Sequence, residues 1–288
     1  MVERTISKIT QSPWHQGFLG AGHRASAILD GISWEESDPF LLFMDDRLKL
    51  PGGEPVGGAH PHAGFETLTL VLQGNEKGLP TGSFELMTAG KGIVHTEEVT
   101  TEQNLHVLQL WLALPPEKRW AEPFWQKITL EAVPKIQTEN YQILVYSGAS
   151  NGLISPVKNH TPLILVDFKI KANQSLSQEL PANFRGLLYV LNGVVQIGNS
   201  TIESGQVGWM DQPKGESVSQ ISFISKSDHT HFVLYAAPAH KAPIITHGPF
   251  VGDTSDDIAR LYRAYRNGEM PHLNQLPNRQ KIEYGVNG

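Results

Sequence analysis

Three stretches of this sequence recur in order. "LTLVLQG", ending at Gly74, is echoed by "LLYVLNG", ending at Gly193; "TGSFELM", ending at Met87, by "SGQVGWM", ending at Met210. "HVLQLWLALP", ending at Pro115, is echoed by "HTHFVLYAAP", ending at Pro238. The offset is 119 residues for the first pair and 123 for the other two. Such near-constant spacing predicts one architecture built twice. The runs "ETLTLVLQG", "LHVLQLWLALPP", "YQILVY", "PLILVDFKI", "GLLYVLNGVVQIG" and "HFVLYAAP" are short, β-branched or aromatic, and punctuated by Gly and Pro. That pattern predicts an all-β sandwich or barrel, here two β-barrels in tandem. The division is placed after residue 132, giving 1–132 and 133–288.

The halves differ in chemistry. Residues 60–66 read "HPHAGFE" and residues 95–97 read "HTE". Side chains two apart on a strand share a face. His60, His62 and Glu66 therefore share one parity, and His95 and Glu97 another. On extended chain these five metal-capable groups can point into one space. Shifted by the repeat offset, the same positions fall on Glu179, Pro181, Arg185, Val218 and Gln220, which carry no such set. His229 and His231 are read as strand or loop histidines rather than a second metal pair.

The chain has 288 residues, 40% of them hydrophobic and 18% charged, enough to bury a substantial core. A net charge of −6 disfavours direct nucleic-acid binding. Cysteine is absent, so a metal must be held by nitrogen and oxygen. The segment "MVERTISKITQSPWH" lacks the apolar stretch of a signal peptide, and no run approaches the ~18 apolar residues of a membrane span. A soluble, cytoplasmic protein is expected.

Helical periodicity is clear near the C-terminus. Thr254 and Asp257 form a loose capping box, Ile258, Leu261, Tyr262 and Tyr265 an apolar face, and Gly268 a stop. Arg260, Arg263 and Arg266 fall on one stripe, read as solvation of the helix and complementarity to its dipole. His106 and Gln109 have opposite parity, so one of them should face the barrel interior. Phe65 and Trp111 are read as core aromatics.

"HPHAGFETLTLVLQG", followed by "MTAGKGIVHTEE", resembles the pirin family of the cupin superfamily. "DPFLLFMDD", "LHVLQLWLALP" and "HGPFVGDTSDDIARLYRAYRNG" fit the same order. The resemblance implies a bicupin: two tandem cupin domains, antiparallel β-barrels of jelly-roll type, with a C-terminal helix. Residues 1–132 would then be the metal-binding cupin and 133–288 a degenerate cupin with the closing helix. It implies His60, His62, His95 and Glu97 as ligands of one divalent metal ion. Three imidazoles and a carboxylate with open positions suit iron(II), with manganese, nickel, copper and zinc as alternatives. Glu66 stands as a supporting partner or alternative ligand. "NEKGLPTGSFEL" departs from the family pattern between Gly74 and Met87, where the family carries a Pro-Gly-Asp turn.

Two functions follow from the resemblance. One is a metal-dependent dioxygenase that cleaves flavonols such as quercetin with O2, with Glu97 or Glu66 taking the substrate's proton and a small aromatic substrate as ligand. The other is a non-enzymatic, metal-binding regulatory protein, a transcription cofactor or modulator of partner enzymes, acting through a protein partner.

Overall fold

Each of the six apolar runs quoted above lies on a strand or a pair of strands of the computed structural model. Residues 1–50, 58–74, 78–96, 102–213 and 218–285 are described. Among them the α-helices are the single turn Trp34–Ser37 and Ser255–Arg266, alongside three short 3-10 turns. The fold is thus all-β with a C-terminal helix.

The chain forms two compact units that exchange their ends. One comprises Pro13–Ala132 and His240–Gly288, the other Met1–Ser12 and Val133–Ala239. They are therefore not the contiguous ranges 1–132 and 133–288. Residues 1–12 join the second unit because Val2–Glu3 pairs with Val218–Ser225, and Ile6–Gln11 with Gln206–Met210. Arg4 holds this arm in place. It is buried, and its guanidinium donates to Ser219 Oγ at 2.7 Å and to the carbonyls of Pro181 and Phe184 at 2.7 and 2.8 Å.

The first unit is built on an eight-stranded sheet. Its centre runs Phe84–Thr88, Phe65–Gln73, Gln103–Ala113, Phe40–Leu50 and His23–Ala27, all antiparallel neighbours. A separate two-stranded ladder joins His60–His62 to Ile93–His95. The helix Ser255–Arg266 belongs to this unit. Thr254 caps it, with the reciprocal Asp257 contact of a capping box. Ile258 and Leu261 are buried beside Ala63 and Phe250, and Tyr262 packs on the same cluster. Tyr265 is exposed, so the buried face is narrower than the periodicity predicts. The chain leaves the helix through Gly268 at φ +69°, in the left-handed region. Arg260 lies 4.3 Å over the Trp120 ring, adding a packing role to its solvation.

The second unit faces a seven-stranded sheet with a five-stranded one. Their shared interior is filled by Val166, Phe168, Leu188, Phe223, Phe232, Leu234 and further aliphatic side chains. The Phe168, Phe223 and Phe232 rings meet at centroid distances of 4.9–5.1 Å.

The two units share a register device. His106 bonds Asp45 at 2.7 Å, and His231 bonds Asp167 at 2.8 Å. His106 pairs with Gln73 just before a register shift, and His231 with Asn192 just before another. His231, not His229, is therefore the counterpart of His106, two residues beyond the gapless alignment. His229 is exposed.

Candidate metal centre and its cavity

The order "HPH" followed by "IVH" places three imidazoles on one small ladder. His60 pairs directly with His95, and His62 with Ile93. Directly opposed residues share a face, as do residues two apart, so the three rings converge. Ring centroids lie 4.4 Å apart for His60–His95 and 4.9 Å for each of the other two pairs. One nitrogen from each ring lies within 4.8 Å of the others, so the trio could hold a metal ion.

The electrostatics fit that role. His62 is 4% exposed and His95 7%. Burial, then the neighbouring His95 and His60, pushes His62 down to about 2. Burial, then His60 and His272, pushes His95 down to about 3. Both rings are neutral at ordinary pH, which a metal-binding imidazole requires. His62 Nε2 and His95 Nε2 stand 3.1 Å apart. With metal–nitrogen bonds of ~2.0–2.1 Å, two nitrogens at right angles around an ion are about 3 Å apart. His60 Nδ1 lies 2.8 Å from the Gly58 carbonyl. A carbonyl only accepts, so Nδ1 carries a proton and Nε2 is the nitrogen left for a metal.

The C-terminal segment supports this ladder. Gly64, at φ +89°, turns the chain out of it, and a Cβ there would meet the Val251 carbonyl oxygen at 2.1 Å. Ala63 is bridged to Phe250. Arg119, fully buried, donates to the Gly64 carbonyl at 3.2 Å and pairs with Asp253 at 3.1 Å. Beyond the helix, Val94 donates to the Pro271 carbonyl at 2.9 Å, and Thr96 Oγ1 bonds His272 Nε2 at 2.9 Å. Residue 96 is thereby tied down immediately after His95.

The turn at Gly64 also decides the fate of Glu66. Strand parity holds only along continuous extended chain, and the break at Ala63–Gly64 resets it. Phe65, rather than Glu66, follows His62 on the site's face: its ring lies 5.3 Å from that of His62 and stacks on Trp111 at 4.3 Å. Glu66 points to the other side of the sheet. It is 0% exposed, paired with Leu112, and accepts from Thr88 Oγ1 at 2.9 Å. The shared-face expectation therefore holds for the histidines and fails for Glu66. Glu97 lies outside the described residues.

A cavity of about 590 Å³ opens beside the histidines, lined by His60, His62, Trp111, Leu42, Met44 and Asp46, with Gln109, Gly58, Phe18 and Leu19 completing it. Its size suits a small organic ligand. Phe65 is buried core as expected, but Trp111 is more than core: it forms cavity wall and meets His62 edge-on at 5.2 Å. Of the opposite-parity pair, Gln109 faces the cavity, while His106 faces Asp45 on the reverse side.

Sequence reading missed Asp46 and His23. Both are buried, and His23 Nε2 bonds Asp46 Oδ1 at 2.8 Å. The available signal was the alternation in "FLLFMDDRL", which puts Leu42, Met44, Asp46 and Leu48 on one face. An acid in an otherwise apolar stripe is the anomaly.

Comparison with known proteins agrees with this architecture. Residues 25–112 match the Pirin family model, and residues 165–271 match the Pirin C-terminal cupin domain. Human Pirin is 32% identical over 260 residues, covering 87% of this chain and 89% of that protein. In structure, a quercetin 2,3-dioxygenase from Acinetobacter baumannii superposes with a TM-score of 0.80 at 24% identity, over 93% of this chain and 98% of that one. The bacterial pirin YhhW from Escherichia coli, in complex with nickel(II), gives 0.59 at 19% identity, over 81% and 100%. Two cupin domains, the first bearing a three-histidine cluster, define a bicupin. The chain belongs to the pirin family.

Proposed function

We propose that this chain is a metal-dependent dioxygenase that cleaves flavonols such as quercetin with O2. In this reading His60, His62, His95 and Glu97 hold one divalent first-row ion, iron(II) in first place. The observation that carries it is a juxtaposition: three histidines, two of them held neutral by burial, beside a cavity of about 590 Å³ with largely apolar walls. The name of the Acinetobacter neighbour supports the reaction, and the nickel complex of the Escherichia coli pirin supports a metal in this fold.

The residues divide the work. A bound divalent ion supplies Lewis acidity toward an enolate oxygen and a route to dioxygen. His62 and His95 offer lone pairs that need not lose a proton first. Trp111, Leu42 and Met44 flank a flat ligand and exclude water from it. Glu97 offsets the positive charge and takes the hydroxyl proton of the flavonol. Glu66 lies on the far side of the sheet, so proton acceptance falls to Glu97.

Oxygen uptake tests the reading. Protein loaded with iron(II) and given quercetin should consume O2, stop on chelation and resume when iron(II) is restored. Glu97→Gln should abolish uptake, and His231→Ala should leave it unchanged. Absence of uptake by metal-loaded protein across flavonols and catechols would replace this reading with the regulatory one.

A further inference from the structure

Among the described residues the first barrel carries two aspartate–histidine pairs built on buried aspartates, and one of the two has a counterpart in the second barrel. Asp45–His106 is matched by Asp167–His231 at the same register and is part of the common framework. Asp46–His23 has no match. Asp46 opposes Val107, and the equivalent pair is Phe168 opposite Phe232, at the centre of the second barrel's apolar core. An acid thus faces inward where the other copy of the fold places a phenyl ring. Burying a carboxylate among apolar groups is costly unless it is hydrogen-bonded or paired, and a phenyl ring at this position would avoid the cost.

The geometry leaves part of Asp46 available. Its Oδ1 is taken by His23 Nε2 at 2.8 Å. His23 Nδ1 accepts the Leu19 N–H at 3.3 Å, so Nε2 carries the proton that it donates to Asp46. The ring thereby fixes the orientation of the carboxylate, and Oδ2 retains its acceptor capacity. Asp46 lines both the main cavity and a smaller recess of about 80 Å³ bounded by His23, Leu48, Thr69, Leu79, Leu105 and Val107. His60 and His62 of the metal cluster line the first space and not the second. A ligand directed at those histidines would therefore meet Asp46 with a different part of its frame.

We propose that Asp46, positioned by His23, is a specificity determinant that accepts a hydrogen bond from a second hydroxyl group of the ligand, selecting planar polyphenols over their unhydroxylated counterparts. This rests on the flavonol reading for the ligand class, but not on turnover. Burial raises the Asp46 pKa, with the hydrogen bond from His23 opposing but not cancelling the shift, which makes its carboxylate a more basic acceptor.

Anaerobic binding of two probes to metal-loaded, full-length protein tests it: 3-hydroxyflavone, and quercetin with its additional hydroxyls. Wild type should bind quercetin about 10- to 100-fold more tightly, the range expected of a hydrogen bond to a charged group. Asp46→Asn keeps an oxygen for His23 and should remove most of that preference while leaving 3-hydroxyflavone affinity unchanged. His23→Gln, which frees the carboxylate to rotate, should reduce the preference without abolishing it, and serves if Asp46→Asn does not fold. Equal losses for both probes, or a preference untouched in either variant, overturns the proposal. Binding with the expected preference but no O2 uptake upholds it and removes the dioxygenase reading. Failure of wild type to bind either probe overturns both.

Discussion

The two barrels place different chemistry on one scaffold. Where the first lines its cavity with Met44, Asp46, Gln109 and Trp111, the register-equivalent residues of the second are Val166, Phe168, Leu234 and Ala236. All four are buried in a continuous apolar core. The outward framework is shared, down to the aspartate–histidine pair at the register shift. Function is thus set by which inward side chains fill the interior, and the same sheet can be a packed core or the wall of a site.

Ligand removal should break the symmetry most strongly. His62→Ala or His95→Ala should weaken metal binding by at least about 100-fold, beyond the ~10–100-fold typical of outer partners. His229→Ala and His231→Ala should leave it unchanged. Competitive metal titration measures both.

Packing should show the converse. Phe168→Ala empties the centre of the second core and should cost about 3–5 kcal/mol. Met44→Ala, at the equivalent depth of a wall that already faces a cavity, should cost less than about 1.5 kcal/mol. Denaturant unfolding of the metal-free variants would reverse the comparison if Met44 proved the costlier residue.

The first barrel should also carry an acid sensitivity of its own. His62 and His95 fall to about 2 and about 3 in the folded protein, below the ordinary histidine value of about 6.5. The unfolded chain therefore takes up protons that the folded one refuses. Stability is full above about pH 6.5 and declines as pH falls toward the folded values, by roughly 1.4 kcal/mol per pH unit for each histidine. In metal-free protein, His62→Gln should flatten this slope between about pH 6 and 4, whereas His231→Gln should not. An unchanged slope in the His62 variant would contradict the buried neutral pair.

The smallest effect concerns the C-terminal strap. His272→Ala removes the bond to Thr96 and should lower metal affinity about 10-fold, at the low end for an outer partner. His247→Ala, which loses a solvent-exposed bond to the Tyr262 hydroxyl, should not. Equal losses would make the strap a general stabiliser rather than a support of the ligand strand.

Much of this was legible because it is local. Alternation and turn residues mark the strands, Thr254 and Asp257 mark the helix start, and a two-residue spacing brings His60 to His62. Glu66 misled because parity counts across a turn are meaningless, and nothing in "HPHAGFE" announces that Gly64 adopts a positive φ. The Asp46–His23 pair was not legible, since it depends on His23–Ala27 pairing with Phe40–Leu50, which brings together side chains 23 residues apart in sequence. The exchange of chain ends was hidden for the same reason: Val2–Glu3 finds its partner more than two hundred residues away.

The central claim is that the first barrel holds one metal on His60, His62 and His95 and the second holds none. The most direct measurement is an anomalous-difference map from crystals of the full chain loaded with iron(II) or nickel(II). The account predicts a single peak within bonding distance of all three imidazoles, with Glu97 completing the set. A peak in the second barrel, or one bound by fewer than three of these histidines, would contradict it.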